Sequence, residues 1–352
     1  MTVLSATTVA IGGVGMLNVS IALCTYNGEQ FIRDQLESIY LQETTPFELV
    51  VCDDCSTDRT LEILYSFKSK CKFDVRIYKN DINLGSNKNF EKAIHLCNGD
   101  IIALCDQDDV WRKDKLTKII FALENNPDVE YVFSDAELVD RDLNLLGSSL
   151  WAPVNFTGKR YRQFVSGNQL LCLLQGNVVT GATMAFRSSL INLVLPIPDG
   201  IVRLHDGWIA LIASSAGAKG LPLPEKLILY RQHGNQQTGV DPSVIRTNTR
   251  TFKETCEANK NLHIVLRIIL HNLNMDYGAL LKRLADTETR YGTGSHVSIN
   301  FIVNYRIHLE KRLSITASSG YAKFKMLFLE AITGRYDIYS KSWRTVFRDL
   351  VM

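Results

Sequence analysis

Three carboxylates stand within four residues at Asp106-Gln107-Asp108-Asp109, directly after the apolar run Ile101-Ile102-Ala103-Leu104-Cys105. Crowded like charges repel, and burying them unpaired is costly, so a divalent cation is the natural relief. Oxygen donors suit Mg²⁺ or Mn²⁺, which hold few protein carboxylates and complete their shell with phosphate oxygens. A second acidic group, Asp53-Asp54, follows Leu49-Val50-Val51-Cys52, and there a carboxylate can accept the N3–H of uracil or thymine. The neighbouring Thr57 and Asp58 are read as caps of a helix starting near Thr60. His205-Asp206-Gly207-Trp208 opens another helix. Asp206 serves there either as a cap or as a general base that takes a proton from an acceptor hydroxyl. Trp208 offers a platform for a sugar ring. Arg231 and His233, in Arg231-Gln232-His233-Gly234, offer positive charge or a metal ligand where phosphates depart.

These groups need a scaffold that brings them together. From Val19 onward, apolar runs alternate with amphipathic stretches. Strands are predicted at Val19–Leu23, Phe47–Cys52, Val75–Tyr78, Ile101–Cys105 and Val129–Phe133. Helices are predicted at Gln30–Tyr40, Thr60–Phe67, Phe90–Leu96 and Leu116–Leu123. Nearly continuous apolar strands alternating with helices mean an α/β fold, with a mostly parallel central sheet flanked by helices. Ligands of such sheets bind at the carboxyl ends of the strands. The segments past those ends are Thr25-Tyr26-Asn27-Gly28, Asp53-Asp54-Cys55-Ser56, Asn80 to Gly85, and Asp106 to Asp109. The polar and glycine-rich signals therefore converge on one edge. Asn83-Leu84-Gly85 reads as a turn wrapping a nucleotide. Gly181, in Asn177–Thr183, reads as a tight turn or as a close approach of ligand to backbone.

Farther along, Gly176–Phe186 reads as a loop feeding a strand, Asp206–Ala216 as a helix and Leu227–Tyr230 as a short strand. From Phe252 the chain reads as helices with basic outer positions. Residues 241–352 hold 17 Lys and Arg against 10 Asp and Glu, so the tail is basic although the whole chain carries only +2. That balance gives no reason to expect nucleic acid. A basic tail with the apolar clusters Ile264–Leu270 and Phe324–Leu329 suits either peripheral contact with a membrane or packing on the catalytic domain. Cysteines 24, 52, 55, 71, 97, 105, 172 and 256 lie largely in apolar runs, which fits a reducing cytosol better than a disulfide framework. Cys52 and Cys55 form a lone CxxC without a partner pair. Gly12-Gly13-Val14-Gly15 precedes the first strand instead of following it, which excludes a dinucleotide loop. Met16 is read as the natural start. No run of about 18 unbroken apolar residues occurs, so no spanning helix is expected.

Seven segments in order, ALCTYNGEQFIRDQLESI, VVCDDCSTDRT, NLGSNKNF, IIALCDQDDVW, NVVTGATMAFR, HDGWIALIA and LYRQHGNQQTG, resemble the motifs of glycosyltransferase family 2. They are nearest its bacterial rhamnosyltransferase-like branch, and the resemblance spans Leu17 to Gly239. It implies a GT-A fold over residues 17–240, after an N-terminal extension (1–16) and before a helical C-terminal region (241–352). It implies an inverting single displacement, a nucleotide-sugar donor such as dTDP-rhamnose or a UDP-hexose, and Mg²⁺ or Mn²⁺. The acceptor would be a glycan or lipid-linked glycan at the inner face of the cell membrane. Carried over by position, Tyr26 and Asp54 contact the base with the backbone at Thr25, and Asn83 lies with the donor. Asp106 and Asp108 form the DxD pair, with Asp108 the direct metal ligand. Asp206 is the base, Arg231 and His233 lie over the diphosphate, and Gly181 and Trp208 face the acceptor. Two positions depart from the family pattern: Cys55 replaces the usual Gly, and His205 replaces a common Glu. A nucleotidyltransferase and an inactive nucleotide-sugar-binding scaffold are the competing readings.

Overall fold

Strand β1 (Val19–Thr25) is paired in parallel with β2 (Glu48–Asp53) on one side and β4 (Ile101–Cys105) on the other, and β2 pairs in parallel with β3 (Asp74–Lys79). The computed structural model describes residues 17–201, 203–234, 276–286, 295–317, 320–332 and 335–340. The predicted N-terminal extension and the apolar run 264–270 lie outside them. Helices α1 (Ile32–Tyr40), α2 (Thr60–Lys68) and α3 (Ser86–Leu96) make the crossovers. Alternation explains why the strands are apolar throughout. Ile21, Leu23, Leu49 and Val51 face one core, Ala22, Val50 and Cys52 face the other, and none of them is exposed. Each large apolar side chain so buried contributes about 1.5–3 kcal/mol.

Beyond β4 the sheet turns mixed. Its order is β3-β2-β1-β4-β8-β6-β9-β5, with β7 (Leu145–Ser149) paired to β6. Strands β8 (Met184–Arg187) and β5 (Val110–Trp111) run antiparallel to their neighbours, while β6 (Val129–Val139) and β9 (Lys219–Arg231) pair in parallel. The expected mostly parallel sheet therefore holds for the first half, and the second half is mixed. Strand β9 is much longer than the predicted Leu227–Tyr230. Pro222 and Pro224 lack the N–H of a ladder residue and hide the strand in the sequence. The structure accommodates them with a register shift, where Ser134 pairs with Leu223 and the next residue, Asp135, with Lys226.

Helix α4 (Lys115–Glu124) covers one face of the sheet. The other face carries α5 (Gly158–Val165), α6 (Gln169–Leu174), α7 (Ile191–Val194) and α8 (His205–Ser215). All residues of α8 are buried. The C-terminal helices α9 (276–286), α10 (Ser295–Ala317) and α11 (Gly320–Ile332) follow. Leu280, Leu284, Ile302, Tyr305 and Leu309 join the same core as α8. Arg283 donates to the carbonyls of Leu193 and Leu195, and Arg203 forms a buried ion pair with Asp276 at 3.1 Å. Helices α9 and α10 thus pack on the catalytic core, while Leu327 of α11 lies in a separate cluster with Ile315 and Tyr336. No described helix is long and apolar enough to cross a membrane. The seven described cysteines are free thiols.

Candidate active site

The carboxyl ends of β1, β2 and β4, the start of α3, the turn at Gly181 and the start of α8 enclose a cleft of about 400 Å³. Thr25, Tyr26, Asp54, Asn83, Asp106, Asp108, Gly181 and Asp206 all line it. The strand-end segments singled out in the sequence therefore do converge.

At the β1 end, Tyr26 is half exposed, whereas Thr25 is buried with its hydroxyl donating to Asp53 Oδ2 at 2.8 Å. Thr25 can thus offer a ligand backbone but not its hydroxyl. Asp53 also accepts from the Ser56 N–H at 2.9 Å, which closes the β2 loop. Cys55, where the family pattern has Gly, takes a left-handed φ of 71°. The glycine conformation is kept although the residue is not glycine. Asp58 accepts from the Thr60 N–H at 3.0 Å and so does hold the first turn of α2.

Asp54 is buried. It accepts from Asn80 Nδ2 and the Leu84 N–H at 2.8 Å on Oδ1, and from the Gly85 N–H at 2.9 Å on Oδ2. Its carboxylate shapes the Asn83–Gly85 turn and retains lone-pair capacity toward the cleft. Asn83 adds a bond to the Asp54 carbonyl at 3.2 Å.

The acidic loop separates into distinct roles. The Asp106 carboxylate takes no hydrogen bond from any described residue, and only its backbone carbonyl accepts one, from Cys105 Sγ at 3.3 Å. Burial, with the charges of Asp108 and Asp206 nearby, pushes its carboxyl up to about 7. Asp108 Oδ2 lies 2.9 Å from His233 Nε2. Asp109 is fully buried, accepts the Arg231 N–H at 3.0 Å and leaves Oδ2 without a hydrogen-bond partner among the described residues. Asp109 thus precedes β5 and anchors β9 to the acidic loop. The expected place of Arg231 over a diphosphate is corrected. Its guanidinium is buried and donates to the carbonyls of Asp108 and Arg141, pairs with Asp34 at 2.7 Å and lies 4.7 Å from the centre of the Phe31 ring. In this structure it braces the acidic loop from behind and does not line the cleft.

Asp206 is held from several sides. The Gly181 N–H donates to Oδ2 at 2.8 Å, and Asn177 Nδ2 and the Gly207 N–H reach Oδ1 at 3.3 and 2.5 Å. A Cβ on residue 181 would meet His205 Nε2 at 2.7 Å, so glycine is required for this approach. His205 stacks on Phe90 with centroids 3.7 Å apart, and burial depresses its pKa. Trp208 is wholly buried and donates Nε1–H to the Val194 carbonyl at 2.9 Å. It is a core residue, and the expectation of a sugar platform there is withdrawn: two residues beyond Asp206, it lies about 200° around the helix, away from the cleft.

Sequence reasoning missed Lys115. It is fully buried, donates to the Ala182 carbonyl at 2.7 Å and sits 3.5 Å over the Trp111 ring. Its charge opposes those of Asp109 and Asp106. The only signal was its position directly before the predicted helix Leu116–Leu123.

The donor set at Asp106, Asp108 and His233 fits a small divalent cation. An unbonded carboxylate with excess negative charge faces the cleft beside a carboxylate–imidazole pair. Among the described residues no group of three or more His, Cys, Asp or Glu forms a ready cage. Two or three protein ligands suit an ion that takes the rest of its shell from a diphosphate and water.

Residues 20–193 match the family described as Glycosyl transferase family 2. A dTDP-rhamnosyl transferase, RfbG of Shigella flexneri, is 29% identical over 231 residues, covering 63% of this chain and 75% of that protein. An uncharacterised protein of Mycobacterium tuberculosis is 27% identical over 241 residues, covering 67% of this chain but 64% of its own length. The chain thus spans somewhat less than two thirds of the length of the mycobacterial relative. Among solved structures, residues 1–349 of Staphylococcus aureus TarS in complex with UDP-GlcNAc share the fold. The TM-score is 0.52 at 17% identity, over 94% of this chain and 90% of that one.

Proposed function

The chain belongs to glycosyltransferase family 2 and has the GT-A fold, and from that premise we propose that it is an inverting transferase. It moves a sugar from a nucleoside-diphosphate donor to a glycan acceptor. The observation that carries this reading is the position of Asp206. It stands braced in the same cleft as the DxD pair and the base-binding edge, with its carboxylate fixed by Gly181 and Asn177.

Tyr26 and Asp54 hold the nucleobase. Asp106 and Asp108, with His233, would hold Mg²⁺ or Mn²⁺, which when bound would supply positive charge against the negative charge that develops on the leaving group. Asp206 accepts the proton of the acceptor hydroxyl as that oxygen bonds to the anomeric carbon. The bond from that carbon to the β-phosphate oxygen breaks on the opposite face, and the nucleoside diphosphate leaves. Configuration inverts because displacement happens once. Arg231 and Asp109 hold the acidic loop in place and touch no substrate. Gly181 lets the acceptor approach the backbone beside Asp206.

The nucleotidyltransferase alternative needs free backbone N–H groups after β1 to cradle a triphosphate. Here those of Tyr26, Asn27, Gly28 and Glu29 are occupied by the side chains of Gln107, Ser56, Thr60 and Asp58. The name of the Shigella relative, a dTDP-rhamnosyl transferase, supports a deoxyhexose donor. A lipid-linked acceptor would bring the protein to the inner membrane face, and the exposed Phe328, Leu329 and Ile338 offer apolar contact there. Nucleotide release from dTDP-rhamnose, UDP-glucose, UDP-galactose and UDP-N-acetylhexosamines, with Mn²⁺ and with EDTA, tests the reading. One donor should turn over and chelation should stop it. Metal-independent release would remove the DxD role, and release from none would favour the inactive scaffold.

A further inference from the structure

Gln107, the middle residue of the DxD, does not point with its neighbours. Its carboxamide crosses to the β1 loop and grips the backbone of one residue, Tyr26, at both its N–H and its carbonyl. The Tyr26 N–H donates to Oε1 at 2.9 Å, and Nε2 donates to the Tyr26 carbonyl at 3.0 Å. Side chain and backbone thus pair as one strand residue pairs with another. The contact bridges the ends of β1 and β4, neighbours at the point where the strand order reverses.

The approach is close. A Cβ on Gly28 would fall 2.2 Å from Gln107 Oε1, so residue 28 is glycine where the carboxamide needs the space. Gly28 itself is tied by its N–H to Thr60 Oγ1 at 2.8 Å, which prevents the loop from yielding easily. Asp106 and Asp108 face the cleft on either side of Gln107, and Tyr26 presents its half-exposed ring to the same cleft.

We propose that Gln107 is a positioning residue that locks the metal loop to the nucleobase loop, so that base and diphosphate are bound as one unit and the distance between the two subsites selects the donor. This rests on the transferase reading above. Gln107 touches neither the cation nor the reacting atoms. Its effect is exerted through Tyr26. An ester or acid at this position fails for a stated reason. A carboxylate keeps the acceptor toward the Tyr26 N–H but sets an anion against the Tyr26 carbonyl, so Gln107→Glu is worse than Gln107→Ala.

The test is calorimetric titration of the full chain with UDP and with dTDP in the presence of Mn²⁺. Thermal unfolding of each variant is followed in parallel. Gln107→Ala should weaken binding roughly tenfold for the better nucleotide, through loss of both hydrogen bonds to Tyr26. Tyr26→Ala should weaken it by a similar factor. The double variant should be no weaker than Tyr26→Ala alone, because both changes remove the same base contact. Gly28→Ala, which pushes the carboxamide from the other side, should reproduce the tenfold loss if Gln107→Ala fails to fold. Additive losses in the double variant, or unchanged binding in Gln107→Ala with only a lower melting temperature, would overturn the inference. A wild-type chain that bound neither nucleotide would overturn the transferase reading itself.

Discussion

The ammonium of Lys115 donates to the carbonyl oxygen of Ala182 at 2.7 Å, from a position without solvent exposure. The neighbouring Gly181 N–H holds Asp206 at 2.8 Å. One buried cation therefore ties the acidic loop side of the cleft to the turn that sets the proposed base. A buried lysine is expensive to keep, and burial lowers its pKa to about 7.

Lys115→Met should lower turnover by about 10–100-fold, because small misplacement of a reacting group is costly. Nucleotide affinity should change much less. Steady-state kinetics beside titration of UDP or dTDP checks this. Equal turnover in the variant would remove the link between Lys115 and Asp206.

Asp106 gives a pH dependence of stability. Its folded value of about 7 lies above the ordinary carboxylate value, chiefly through burial. The native state therefore holds the proton more tightly than the unfolded chain. Below about pH 4 the carboxyl is neutral in both states and the shift costs nothing. Stability falls as pH rises from about 4 to 7, and the full cost is present above. Without divalent cation, Asp106→Asn should be more stable than wild type by about 1–2 kcal/mol at pH 8, and nearly equal at pH 4. Denaturant melts at the two pH values decide it.

Cys55 occupies a left-handed backbone conformation at φ 71°. That region costs a residue with a Cβ roughly 1–2 kcal/mol. Cys55→Gly should raise stability by about 0.5–1 kcal/mol, after allowance for the greater freedom of glycine in the unfolded chain. A loss of stability would show that the thiol, near the Asp81 carbonyl, contributes more than the strain removes.

Trp208 and Tyr26 should part company. Trp208→Ala should cost about 3–5 kcal/mol of stability, since the indole is wholly buried. Tyr26→Ala should change stability by less than about 0.5 kcal/mol and weaken nucleotide binding instead. Urea unfolding of both variants separates the core residue from the ligand contact.

Much of this was readable from local pattern. The four parallel strands and their crossovers followed from apolar runs and helical spacing, and their polar carboxyl ends marked the cleft. Asp54, Asp106 and Asp108 were found because they follow apolar strand runs, and Asp206 because it opens a predicted helix. The antiparallel half was not legible. Strand β9 contains two prolines that read as breaks, and its partners lie far away in sequence. Trp208 misled because periodicity on a helix buried all round does not say which side faces a ligand. Arg231 misled because a cation near a phosphate site and a cation behind one look alike in sequence. Lys115 and Gln107 act through contacts to distant backbone, at Ala182 and Tyr26, that only the tertiary structure creates.

The central claim is that Asp206 is the base for sugar transfer on a metal-bound nucleotide donor. The most direct test compares wild type and Asp206→Asn for donor turnover and for nucleotide binding on the same preparations. The account predicts that the variant folds, binds UDP or dTDP with Mn²⁺ as wild type does, and loses turnover by about 10²–10⁴-fold. Turnover within about twofold of wild type, with binding intact, would contradict it.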